Sequence, residues 1–177
     1  LAERPGHYHL VHIDAQSSTS GGEIFIESAD GDAANVPSSL VAELLLNAGV
    51  PTVLINGGDT SSSGGGQESA AQLSEAGVPL VVSVAAPLTP AARSIFVDNL
   101  LRQIVAGVDV PTATSVARRA MMDDPLRPSA AGKAPFWDWI TPQVYQSRVY
   151  NPAAIQVEQP APLTPQSQPE ADTGPDQ

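Results

Sequence analysis

The tetrapeptide Ala-Gly-Val-Pro occurs at 48–51 and again at 76–79. Each time a helical pattern ends on it and a short apolar run begins. The runs are 52–56 (Thr-Val-Leu-Ile-Asn) and 80–85 (Leu-Val-Val-Ser-Val-Ala). Runs this short, rich in β-branched residues and without polar alternation, belong to strands buried on both faces, as in a parallel sheet. A third such run spans 8–13. Residues 23–27 (Glu-Ile-Phe-Ile-Glu) alternate polar with apolar, which predicts a half-exposed strand between Gly-containing turns. Between these runs lie helical patterns. One is 37–47, with Ser38 or Ser39 as its cap, Leu40, Val41, Leu44 and Leu45 as its apolar face, and Gly49 after its end. Another is 67–76, ended by Gly77. A long one is capped by Thr89, opens on Pro90 and is closed by Gly107; a last one covers 112–122. Alternation of strand and helix predicts a three-layer α/β fold, with a mostly parallel sheet and helices on both faces. The repeated tetrapeptide marks the same helix-to-strand turn twice and is not a repeat architecture.

Composition narrows the function classes. The chain has 177 residues, enough for one domain and an appendage. It has no cysteine, which removes disulfides, thiolate metal sites and thiol nucleophiles together. The formal charge is -11, and the eight Lys and Arg residues are scattered. Nucleic acid and anionic membrane surfaces, which need clustered cations, are therefore not expected partners. The apolar stretches are too short to span a bilayer, and 1–6 is not a signal peptide. A cytoplasmic location is the expectation. The start without Met makes the chain read as part of something longer.

Two strand ends carry the functional information. The first reads Tyr8-His9-Leu10-Val11-His12-Ile13-Asp14-Ala15-Gln16-Ser17; the second reads Thr52-Val53-Leu54-Ile55-Asn56-Gly57-Gly58-Asp59-Thr60. Both pass from an apolar run into small and polar residues, where ligands and catalytic groups gather in open α/β sheets. Downstream come Ala76-Gly77-Val78-Pro79 with its buried run, a long helical pattern ending at Gly107, and Ala117-Arg118-Arg119-Ala120. Last is Asp138-Trp139-Ile140-Thr141-Pro142-Gln143-Val144-Tyr145-Gln146. In this order, from about Tyr8 to Gln146, the chain resembles the C-terminal part of the CHAT domain, a caspase-like cysteine peptidase family. The resemblance implies a caspase-like fold over 1–148. In that family the first strand end supplies a general-base His and the second a nucleophilic Cys. Gln16 stands at the base position and Gly58 at the nucleophile position. An amide takes up no proton near neutral pH, and glycine forms no covalent intermediate. Ser17, Gly57 and Thr60 also depart from the family pattern, which fits decay or repurposing rather than a single inactivating change.

Other polar residues near these ends admit two readings each. His12 and Asp14 share a strand face with Gln16. They would line the old cleft, with His12 as a substitute base, or simply pair with each other or nearby backbone. Asn56 ends the second strand. Asp59 would grip a cationic group or cap the next turn. Ser61, Ser62 and Ser63 could offer a nucleophile but read as loop, because no positioned base is evident. Gly64-Gly65-Gly66 lacks the Lys-Ser/Thr of a phosphate loop. His7 and His9 fall on one strand face and His12 on the other, a poor set for one metal ion, so no metal and no cofactor are expected. Trp137 and Trp139 read as core or docking residues, and Arg118 or Arg119 as a partner for Asp123 or Asp124.

From Val149 onward Pro152, Pro160, Pro162, Pro165, Pro169 and Pro175 punctuate a stretch whose only charges are Glu158, Glu170, Asp172 and Asp176. The composition predicts a disordered acidic tail over 149–177. The expected function is a non-catalytic CHAT-like module that binds protein or peptide or regulates a partner. From the resemblance, a tetratricopeptide-repeat domain in cis or trans is an expected partner. The alternative is a divergent peptidase or hydrolase using His12 with a Ser or a residue from elsewhere; a third is a remnant without activity of its own. The loop after Asn56 discriminates between them.

Overall fold

The structure is a computed structural model that describes residues 1, 3–15, 22–27, 31, 33–56 and 65–150. A four-stranded sheet has the order β1 (Leu10–Asp14), β4 (Thr52–Asn56), β5 (Leu80–Val84) and β8 (Pro142–Gln146). β1, β4 and β5 are parallel, and β8 returns antiparallel along β5. The first strand therefore begins two residues later than the 8–13 expected from sequence and runs one residue further. Tyr8 and His9 lie before the ladder, and Asp14 pairs with Asn56 at its end.

Every residue of β4 and β5 is buried. Alternation sends Val53, Ile55 and Val81 to one face and Leu54, Leu80 and Val82 to the other, and each set seeds its own core. The first core is closed by α1 (Ser38–Asn47) and α2 (Gly65–Glu75) through Val41, Ala42, Leu45, Ala70 and Leu73. The second is closed by α3 (Pro90–Val105) and α4 (Val110–Asp123) through Phe96, Leu100, Ala113, Ala117 and Met121. Two successive crossovers stepping one way across the sheet place α1 and α2 on one face, as the handedness of parallel units requires. The result is a three-layer α/β domain with a mostly parallel sheet.

A hairpin of β2 (Glu23–Glu27) and β3 (Ala33–Pro37) precedes α1, and Ile24 anchors it in the first core. Only its first strand is legible as an alternating run. Its second, Ala33-Ala34-Asn35-Val36-Pro37, has a single β-branched residue. Pro37 occupies the cap of α1 with no side-chain bond, and Ser38, expected as a cap, is instead the first helical residue and buried. Thr89 caps α3 as expected, accepting the Ala92 N–H. Gly49, Gly77 and Gly107 each end a helix at positive φ, the conformation that costs glycine least.

After α4 the chain forms a two-stranded ribbon, β6 (Leu126–Ser129) with β7 (Gly132–Pro135), then a 3-10 turn at Asp138–Ile140. Arg127 on β6 is fully buried. Its Nε donates to Asp138 Oδ2 at 2.8 Å and one Nη to Oδ1 at 3.2 Å, a forked pair. The remaining donors reach the carbonyls of Met121, Asp124 and Leu126. One guanidinium thus ties the end of α4, the ribbon and the 3-10 turn together. Trp139 is half-buried against the second core, with Arg118 over its ring and donating to its carbonyl at 2.9 Å. Trp137, expected with it as a core or docking residue, is 78% exposed. Arg119 pairs with Asp123 at 3.0 Å. Tyr150, half-buried against the second core, is the last described residue. The expected tail beyond it lies outside the described residues.

Removing either partner of the Arg127 clasp leaves a buried charge uncompensated, which typically costs about 3–5 kcal/mol. Arg127→Leu and Asp138→Leu should each lower the unfolding free energy by that order, read as a lower denaturant midpoint, and the double replacement should recover much of the loss. Chemical unfolding of the three variants checks this. At the start of α4 the Asp109 carboxylate accepts the Thr112 N–H at 2.9 Å. This backbone bond, reinforced by the Thr112 hydroxyl, holds its carboxyl below the ordinary carboxylate value. A carboxyl depressed on folding stabilises above its unfolded pKa, and that contribution fades as the pH falls through the folded value. Asp109→Ala should therefore lower Tm at neutral pH, and the difference should shrink in acid; thermal scans across that range measure it.

Candidate functional site

The C-terminal edge of the parallel strands brings together Asp14, Asn56, Ser83 and Gln143. Asp14 and Asn56 end β1 and β4 as register partners. By alternation they share the face covered by α3. Arg93, in the first turn of α3, points at Asp14 and reaches both carboxylate oxygens at 3.4 Å. The pair is half-exposed, so it orients more than it stabilises. Asn56 is buried, and its Nδ2 finds no partner among the described residues; the same holds for Arg93 Nε.

One strand further, Ser83 of β5 is buried and donates to the Gly66 carbonyl at 3.0 Å, tying the start of α2 to the sheet. A Cβ on Gly66 would sit 3.5 Å from the Val84 carbonyl, in ordinary contact, so the helix enters close against the strand. On β8, Gln143 Oε1 accepts from Gln67 Nε2 at 3.1 Å and from the Tyr145 hydroxyl at 3.0 Å. Burial raises the Tyr145 pKa, so its phenol stays a donor. The edge is thus a row of amides and hydroxyls, with one ion pair at its β1 end.

His12 lies on β1, exposed, on the same face as Asp14. Among the described residues it bonds neither to Asp14 nor to another group: Asp14 turns to Arg93 instead. Neither reading of the His12–Asp14 pair anticipates this, because the partner is 79 residues away in sequence. His7 and His9 precede β1 and are exposed, and His7 stacks edge-on against Tyr8. No cluster of three potential metal ligands occurs among the described residues. Gln16, Ser17, Gly57, Gly58, Asp59, Thr60 and the serines after them lie outside the described residues. What the fold does provide is their attachment points. The two segments leave the sheet from neighbouring positions, Asp14 and Asn56, at one edge.

Arg93, Ser83, Gln67 and Gln143 carry no site signal in the sequence. Each sits within a helix or strand whose pattern explains it without a site. Only the fold brings them to one edge. No protein-family model matches the chain, and no curated protein matches it.

The register of β1 and β4 makes the expected base and nucleophile positions, Gln16 and Gly58, testable. Gln16→His combined with Gly58→Cys should alkylate faster near neutral pH than Gly58→Cys alone, because a neighbouring imidazolium stabilises thiolate. The effect should be modest, since Ser17 and Gly57 leave the imidazole's orientation unsupported. Equal rates in stopped-flow alkylation would show that the two positions do not face each other.

Proposed function

We propose that this chain is a non-catalytic module of CHAT type that binds a protein or peptide at the C-terminal edge of its sheet. One observation carries the reading. Two parallel strands end side by side at Asp14 and Asn56, each leading into a polar segment, and the sequence puts Gln16 and Gly58 where the family's chemistry requires a base and a thiol. Hydrolysis by a nucleophile–base unit loses nearly all its rate when one member goes, and here both positions differ. What remains at that edge fits recognition. The half-buried amides of Gln67 and Gln143 donate and accept, as backbone-reading sites do, and Asp14 with Arg93 offers both signs of charge. An extended peptide or a loop of a partner domain has the matching chemistry. From the resemblance, a tetratricopeptide-repeat domain, fused or separate, is the partner to look for, and a cytoplasmic setting is part of the same reading. No helix among the described residues is long and apolar enough to cross a membrane.

Pure protein incubated with a substrate-profiling peptide library should leave every member intact. Cleavage that disappears in His12→Ala would overturn the reading and assign the edge to a divergent hydrolase with His12 as base.

A further inference from the structure

Three segments meet beneath the sheet, at the end opposite the polar edge. The chain before β1 is the first: Gly6 donates its N–H to the Ala48 carbonyl at 2.7 Å. The turn from α1 into β4 is the second. Its Gly49 has a φ of 69°, and a Cβ there would lie 3.3 Å from the Gly6 nitrogen, so the two backbones are in contact. Val50 closes that turn by donating to the Leu45 carbonyl at 2.9 Å. The chain after β8 is the third. Ser147 donates its N–H to the Pro79 carbonyl at 3.1 Å and its hydroxyl to that of Val78 at 2.9 Å. Gln146 Nε2 then donates to the Arg148 carbonyl at 3.2 Å.

Between these segments lies a cavity of about 340 Å³, the size of a small-molecule site. Its place follows from the register. His9 precedes Leu10 and Pro51 precedes Thr52, and those two residues are partners at the start of β1 and β4. Leu46, Val50 and Pro51 line the cavity with apolar surface, and His9, Arg148 and Tyr150 supply its polar side chains. No acid is among the described residues that line it. In a chain with nineteen acids and eight cations, this is a local reversal of sign.

All three polar groups can donate. A guanidinium only donates, and an imidazole keeps an N–H in either protonation state. Burial raises the Tyr150 pKa, so its phenol keeps its proton. Arg148 forms no ion pair among the described residues, unlike Arg93, Arg119 and Arg127. We infer that this cavity binds a small monocarboxylic acid with an apolar body. The carboxylate meets Arg148, His9 and Tyr150, and the body lies on Leu46, Val50 and Pro51. Charge sets the valence. One permanent cation matches one negative charge, and the formal -11 of the chain opposes a dianion such as a phosphate monoester. Backbone bonds hold the walls without the ligand, so binding has little left to order. The inference is independent of the proposed function, since the cavity lies at the other end of the strands.

Amide NMR titration of the full chain with 4-phenylbutyrate tests it. The probe should shift the resonances of His9, Leu46, Gly49 and Arg148, with a Kd of about 0.1–1 mM, ordinary for its size. Its uncharged amide, 4-phenylbutyramide, should bind at least about tenfold more weakly, and Arg148→Gln should cost about the same, as the loss of one charge-assisted hydrogen bond does. Arg148→Lys should recover part of that loss. Leu46→Glu, at an exposed position, should abolish binding and leave the Tm nearly unchanged. Lys133→Gln, on the exposed ribbon, should change nothing. Absence of shifts at millimolar probe would overturn the inference, as would equal binding of acid and amide or indifference to Arg148→Gln. Tighter binding of phenyl phosphate would assign the cavity to a dianion. Tighter binding of a peptide ending in a free phenylalanine carboxylate would assign it to a chain end. Either result would also overturn it.

Discussion

Everything in this domain depends on two strands that cannot face water on either side. β4 and β5 are buried throughout, with apolar side chains on both faces. A parallel pair of this kind is stable only between two helical layers. That requirement fixes α1 and α2 on one face and α3 and α4 on the other, and it divides the interior into two cores that meet through the sheet. The one polar side chain within β5, Ser83, is tolerated because its hydroxyl donates to the Gly66 carbonyl. The same bond sets how closely α2 approaches the sheet. β1 and β8 lie at the rims, where burial is incomplete and polar residues cost less.

The parts legible in sequence are those where local pattern and tertiary environment agree. β4 is legible with the bounds it has, and β5 to within one residue, because an apolar run bracketed by Gly-Val-Pro and a polar stop has one reading. α3 is legible from its Thr89 cap and Pro90, which act locally; α4, expected over 112–122, starts two residues earlier, under an Asp109 cap that the pattern alone does not single out. β6, β7 and β8 are not, for a physical reason. Leu126-Arg127-Pro128-Ser129, Gly132-Lys133-Ala134-Pro135 and Pro142-Gln143-Val144-Tyr145-Gln146 all contain proline, which removes a ladder donor and is confined to edges and ribbons. In these elements tertiary contacts override propensity. Arg127 is the sharpest case. Nothing in a Leu-Arg-Pro-Ser string marks a fully buried cation, yet its pair with Asp138 and its bonds to three carbonyls hold the ribbon and the final turn on the second core. The segment from Asp138 to Tyr145 is thus a structural unit. Asp138 holds the clasp, Trp139 seats under Arg118, Pro142 opens β8 and Tyr145 turns to the first core.

The site is legible to the extent that it depends on strand ends, and opaque where it depends on long-range packing. Parallel alternation in sequence is enough to bring Asp14 and Asn56 to one edge, because adjacent parallel strands joined by a right-handed crossover start and stop together. Which group Asp14 binds cannot be read the same way. Arg93 sits one turn into a helix on the far side of β5 in sequence, and only the α3 layer folding back over β1 brings it near. His12 shows the converse. That it shares a face with Asp14 is derivable from period two, but sharing a face is not bonding, and the ion pair draws the carboxylate away.

Charge placement bears on the partner proposed above. The chain has eight cationic side chains against nineteen acids. Arg93, Arg119 and Arg127 are held in ion pairs, and Arg118 is held by the ring and carbonyl of Trp139. Half of the positive charge is therefore engaged in holding elements together, and one of those four is withdrawn from the surface altogether. Each of those three pairs takes up one acid with its arginine, so the net charge stays at the formal -11. Such a field repels phosphate backbones and acidic segments and accelerates encounter with cationic ones. Steering of this kind fades with salt over a Debye length of about 8 Å at physiological ionic strength. For the proposed peptide partner this field favours a neutral or basic segment, met by the half-buried amides of Gln67 and Gln143 and by the acidic side of the Asp14–Arg93 pair.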